Sequence, residues 1–310
     1  MLEMMTATKK SSVATPKVVT LLSSLGTMKA PSYPAPTFLI GRIIYIMPPI
    51  QTPYGDGLMK TFNLDTKAWG TVGPGGTNYT YSAVSVAQFS GQTMAFFHAG
   101  EHQYTSNGST AFALECRYIK TDGNGLGKPT SPNTTATGHF SMATNTNTNA
   151  VYKFGGYPFA NYGMEIYDPS TGVWTTGAVA GTSNDRREHG LCYYNGKVYV
   201  VGGLNTASAE QASILEYTIS TNTWNVLPGS SLLALQMPNP VVLNGAIYVF
   251  GGYRSGWHAD LLKYDLTTGI TTVVTLSLTL PAIAAPCVVT DGTLIYVYEP
   301  ASGKMWSIAV

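Results

Sequence analysis

The chain has 310 residues, a net charge of +1 and only 11% charged residues. Nucleic acid and anionic membranes require clustered Lys and Arg, so this balance argues against both as the main partner. No apolar stretch is long enough to span a bilayer, and Glu3 ahead of Lys9-Lys10 departs from the layout of a signal peptide.

In chain order, residues 1–16 form an extension before the first strand candidate, Lys17-Val18-Val19-Thr20-Leu21-Leu22. Ile43-Ile44-Tyr45-Ile46-Met47 comes next, then Phe62 and Trp69. Thr93–His98 leads into Ala99-Gly100, with Tyr118 following and Gly125 where a tryptophan is expected. Three clear copies then repeat one order. Val151–Phe154 precedes Gly155-Gly156, Tyr167 and Trp174. Val198–Val201 precedes Gly202-Gly203, Tyr217 and Trp224. Ile247–Phe250 precedes Gly251-Gly252 and Tyr264. Leu294–Tyr298 and Met305-Trp306 make a last, short copy.

The first glycines at 155, 202 and 251 are spaced by 47 and 49 residues. A fixed period of this length marks a repeat architecture, in which each unit buries its apolar face only by stacking on a copy. Strand interiors disfavour glycine, so a recurrent pair at a strand end marks a sharp bend or a close backbone approach. Asn195-Gly196, Asn244-Gly245 and Asp291-Gly292 suit hairpins with positive φ. Thr144 to Asn149 reads as a long hairpin loop. The last copy lacks an outer strand, which the Lys17–Leu22 segment is expected to supply. That would close the ring and remove its open edges.

A β-branched and aromatic strand, a diglycine, a tyrosine strand and a following tryptophan resemble the kelch repeat of β-propellers. The resemblance implies an all-β, six-bladed propeller. It is expected to span residues 17–310 as one domain, with blades near 37–73, 80–120, 138–180, 188–228, 238–276, and 284–310 plus 17–23. Kelch adaptors usually carry further partner domains, whereas here the propeller uses nearly the whole chain, which favours a stand-alone part.

In such a fold the loop after each glycine pair and the loop between blades emerge on one face. Those loops hold Tyr54, Glu101, His102, Tyr104, Phe159 and a denser group. That group is Tyr157, Tyr162, Arg186, Arg187, His189, Tyr253, Arg254, Trp257 and His258, the expected face for a partner or glycan. Aromatic residues and Arg carry interface hot spots, and flat rings with a polar edge suit both proteins and sugars.

No catalytic residue, metal ligand or cofactor is assigned. His98-Ala99-Gly100-Glu101-His102 reads H-x-x-E-H, but that zinc pattern works on a helix and this string falls at a strand end. Cys116, Cys192 and Cys287 lie in different units without metal spacing and read as small buried residues. Gly73-Pro74-Gly75-Gly76 lacks the lysine and helix of a phosphate loop.

The expected function is a non-enzymatic binding or assembly module. Low charge with abundant Thr, Ser, Asn and Gly resembles a virion component, such as a phage tail or capsid-attached protein. Its partners would be other chains of the assembly, or a surface receptor or glycan. The alternative is a sugar mutarotase or epimerase with its site at the channel mouth, using Arg186, Glu188, His189 and Arg254.

Overall fold

The computed structural model describes residues 15–24, 35–47, 59–72, 79–80, 83–89, 91–98, 101–102, 111–112, 116–122, 125–126, 138–158, 163–283 and 286–310. They form six four-stranded antiparallel blades. The innermost strands, in order, are Thr37–Ile40, Ala83–Phe89, Ser141–Thr144, Gly190–Tyr194, Pro240–Leu243 and Cys287–Thr290. Each neighbours the next, and the sixth meets the first, so the ring is closed. The chain is an all-β six-bladed propeller.

The N-terminal strand Val19–Ser24 pairs with Lys304–Ala309 as the outermost strand of the sixth blade. Leu21 lies opposite Trp306. Lys17 also exchanges backbone bonds with the stretch after the fifth blade: its N–H donates to Thr275 O at 2.7 Å and its carbonyl accepts from Ser277 N at 2.8 Å. Closure therefore joins the first residues of the ring to two blades at once.

Among the described residues the core consists of six apolar clusters, one between each pair of adjacent blades. Phe96, Tyr118, Phe140 and Tyr167 join the second and third blades. Phe154, Leu191, Val198 and Tyr217 join the third and fourth. Ile44, Phe62, Tyr296 and Tyr298 join the first to the sixth. No blade could bury these side chains alone, which is why the sequence repeats.

Where a copy has the tryptophan, it serves the same joint. Trp174 lies opposite Tyr167 and Trp224 opposite Tyr217 in the outer strand pair. Trp224 also reaches the preceding blade, with its ring 4.8 Å from Phe154 and its indole N–H donating to Ala178 O at 2.7 Å. Trp69 reaches Tyr298 of the sixth blade at 5.3 Å.

The glycine pairs permit close approach between blades. Gly155, Gly202 and Gly251 have φ of 68°, 62° and 69°. A Cβ on Gly202 would stand 2.5 Å from Leu235 O, and one on Gly155 2.2 Å from Arg186 O. The second glycines use this proximity: Gly156 N donates to Arg186 O at 2.9 Å and Gly203 N to Leu235 O at 2.7 Å.

Several local expectations need correction. In the second blade Leu126, not Gly125, lies opposite Tyr118, because the turn is one residue longer. In the fifth blade Thr271 takes the tryptophan place opposite Tyr264. Asn195-Gly196 and Asn244-Gly245 have positive φ at both residues, whereas only Gly292 does in the third hairpin. There the Asp291 carboxylate instead accepts from Thr293 N and Leu294 N, making a wider turn. A small sheet of Tyr79–Thr80, Glu101–His102 and Ala111–Phe112 was not anticipated.

The described residues of the zinc-like string are strand, not helix: His98 ends the strand Gln92–His98 and Glu101–His102 forms its own short strand. All three cysteines are buried, and none forms a disulfide. Burial raises the Cys192 thiol pKa strongly and that of Cys287 to about 11, so both stay protonated at neutral pH.

Candidate functional site

The third, fourth and fifth blades build their shared face in one way. Gly138, Arg187 and Gln236, each 49 residues from the next, pair through reciprocal backbone bonds with Tyr157, Leu204 and Tyr253. The loop before each inner strand is thus tied to the post-glycine loop of the same blade. The next residues, His139, Glu188 and Met237, all take left-handed φ of 62°, 53° and 52°. Glu188 N donates to His139 O at 2.8 Å and Met237 N donates to Glu188 O at 2.7 Å. A backbone chain therefore runs around the channel mouth from blade to blade.

These residues surround a cavity of about 210 Å³ on the propeller axis, to which all six inner strands or their leading segments contribute. Its polar lining includes His139, Ser141, Glu188 and Asn239. His139 Nδ1 meets Glu188 Oε1 at 3.1 Å, with both side chains about 10% exposed, at 11% and 10%. Asn239 Nδ2 donates to Pro286 O at 2.7 Å, and Ser141 Oγ donates to His189 O. Among the described residues no lysine or arginine lines the cavity.

Around it stands an aromatic and cationic rim. Tyr157 is 42% exposed. The Arg187 guanidinium lies 5.2 Å from the Tyr157 ring centre and donates to Ser208 Oγ at 2.9 Å. Tyr253 and Trp257 meet edge-to-face at 5.5 Å. Arg254 donates to Ser231 O, and His258 Nε2 lies 3.1 Å from Arg254 O. Gln236 Nε2 donates to Glu210 Oε1 at 3.0 Å, which links the fifth blade to the fourth.

The repeat reading gains independent support here, because residues 185–231 match the Kelch motif family. The chain is a six-bladed propeller that carries a kelch motif in its fourth blade. Kelch-like protein 23 of Homo sapiens is 32% identical over 122 residues, covering 38% of this chain and 21% of that protein. Kelch-like protein 7 of Mus musculus is 28% identical over 105 residues, covering 34% and 17%. A kelch domain-containing protein of Saccharolobus solfataricus is 36% identical over 76 residues, covering 24% and 10%. The chain thus spans about a fifth of the length of the first of these relatives. Kelch propellers typically act as protein-binding modules.

The kelch propeller does not present all the expected face residues to solvent. Tyr157, Arg187, Tyr253, Arg254, Trp257 and His258 lie on the rim at least partly exposed. Tyr162 lies outside the described residues, as do Tyr54, Tyr104 and Phe159. Arg186 and His189 are a correction, for they are 1% and 3% exposed. Arg186 turns into the blade, donating to Asp185 O and Ser213 Oγ. Burial lowers the pKa of its guanidinium to about 10 and raises that of the Asp185 carboxyl. His189 packs edge-on to Phe154, and burial, with the Arg186 charge adding to it, depresses its imidazole to about 3.

The set expected of a channel-mouth enzyme is divided. Glu188 and His189 line the cavity, while Arg186 and Arg254 are held elsewhere. His139 was missed as a partner of Glu188, and Asn239 as a lining residue. The 49-residue spacing of His139, Glu188 and Met237 carried the signal, two or three residues before each inner strand. No group of three His, Cys, Asp or Glu among the described residues could hold a metal, and no described helix is long and apolar enough to cross a membrane.

Proposed function

We propose that this propeller is a binding and assembly module that docks a partner on the face formed by Tyr157, Arg187, Tyr253, Arg254 and Trp257. The observation that carries this reading is the arrangement of that rim. At least partly exposed rings and guanidinium groups sit on loops fixed by paired backbone bonds, so little ordering entropy opposes binding. The domain unit is the ring itself, residues 17–310. Its low charge and neutral polar surface support a place in a virion, as a phage tail or capsid-attached protein. The partner there is another chain of the assembly, or a surface receptor or its glycan.

Light scattering on the purified chain, alone and co-expressed with candidate virion chains, tests the assembly arm. A glycan array tests the sugar arm. The reading requires at least one of these to show binding that Trp257→Ala weakens. Binding indifferent to every rim variant, or its absence in both assays, overturns it.

A second reading is sugar mutarotation at the channel mouth, favoured by the His139–Glu188 pair at 3.1 Å. Exchange NMR on reducing sugars tests it: faster anomer exchange that Glu188→Gln abolishes supports it, and the uncatalysed rate rejects it.

A further inference from the structure

The axial cavity has a donor and acceptor balance that selects a ligand. Its hydroxyl and amide side chains already donate within the protein. Ser141 Oγ–H goes to His189 O, Asn239 Nδ2 to Pro286 O, Thr37 Oγ1–H to Ala35 O, and His139 Nδ1 faces Glu188 Oε1. The lining also carries acceptors, the Glu188 carboxylate and the Asn239 side-chain carbonyl. Among the described residues Glu188 is the only acidic side chain of the lining, and it faces the His139 imidazole but no lysine or arginine. A carboxylate at 10% exposure is costly without a cation or several donors. Its position is fixed, since its own N–H and carbonyl are both bonded to neighbouring blades.

We propose that this cavity takes one cationic side chain, a lysine or arginine presented by the protein partner, with Glu188 as its counter-ion. This rests on the binding-face reading and adds the partner's chemistry: a basic anchor in the channel, ringed by the aromatic rim. The cavity of about 210 Å³ has room for one long side chain. An anionic anchor is opposed by the same acceptors, and a neutral one adds no charge to Glu188 beyond its contact with the His139 imidazole.

The test uses saturation-transfer NMR on the full chain with N-acetyl-arginine methylamide, and with the citrulline analogue as its uncharged match. The arginine probe is expected to receive saturation along its side chain and the citrulline probe at least about tenfold less, by the usual value of a charge-assisted bond. Glu188→Gln should remove the difference. Met237→Glu places a second carboxylate at the equivalent left-handed position and should strengthen arginine binding several-fold. Equal signals from both probes, no signal from arginine, or no gain in Met237→Glu overturns the proposal. Loss of partner binding in Trp257→Ala alongside such a failure would leave the binding face standing without the anchor. If neither responds, both fall.

Discussion

Phe154 lies edge-on to His189, ring centres 5.6 Å apart, where the third blade meets the fourth. One blade earlier the same two positions hold the pair reversed: His98 meets Phe140 at 4.7 Å. The joint accepts either order because only ring size and the edge-to-face contact matter. Protonation is another matter, since an imidazolium buried at 3% exposure loses its hydration.

His189 therefore makes folding pH-dependent. Its pKa falls from 6.5 to about 3 in the folded chain. Between these values the unfolded state holds the extra proton, so stability is fully present above about pH 6.5 and drains as pH falls toward 3. Asp185, raised by burial, acts with the opposite sign. Comparing the parent with His189→Phe isolates the imidazole: denaturant midpoints of the variant should fall less between pH 6.5 and 4. Parallel profiles would refute the assignment.

Glycine substitutions should separate two causes of strain. Gly196→Ala, at φ 77° with open space around it, should cost about 1–2 kcal/mol from backbone conformation alone. Gly202→Val adds a clash with Leu235 O and should cost more than about 4 kcal/mol or prevent folding. Thermal denaturation of both variants checks the ranking.

Thr271 occupies the place that Trp174 and Trp224 fill in their blades, and its buried hydroxyl has no partner. Thr271→Val keeps the shape and the strand preference while removing that oxygen. It should stabilise the protein by about 1 kcal/mol, read as a higher denaturant midpoint.

The ring is closed by backbone pairing from one strand, Val19–Ser24. Removing residues 1–24 exposes the edge of Lys304–Ala309 and should lower the melting temperature and produce concentration-dependent association. Circular dichroism and light scattering would follow both. An unchanged monomer would show that closure does not depend on this strand.

Arg254→Ala and Trp257→Ala should each weaken partner or glycan binding at least about fivefold, as truncated hot spots do, while leaving the melting temperature within a few degrees. Both side chains sit at the rim and belong to none of the interblade clusters. Unchanged affinity in both would remove this face from consideration.

The amino-acid order alone predicts the repeat, the blade count, the hairpins at Asn195-Gly196 and Asn244-Gly245, and closure by the N-terminal strand. These follow from periodicity and local backbone preference, which are carried by neighbouring residues. It placed Arg187, Tyr253 and Trp257 on the rim by the same alternation of strand direction. Only the tertiary structure decided that Arg186 and His189 point inward while Arg187, between them, points out. Adjacent residues in a connecting loop have no fixed period, so their directions depend on the blade packed against them. The His139–Glu188 pair likewise joins residues 49 positions apart, and the curvature of the closed ring sets their 3.1 Å separation.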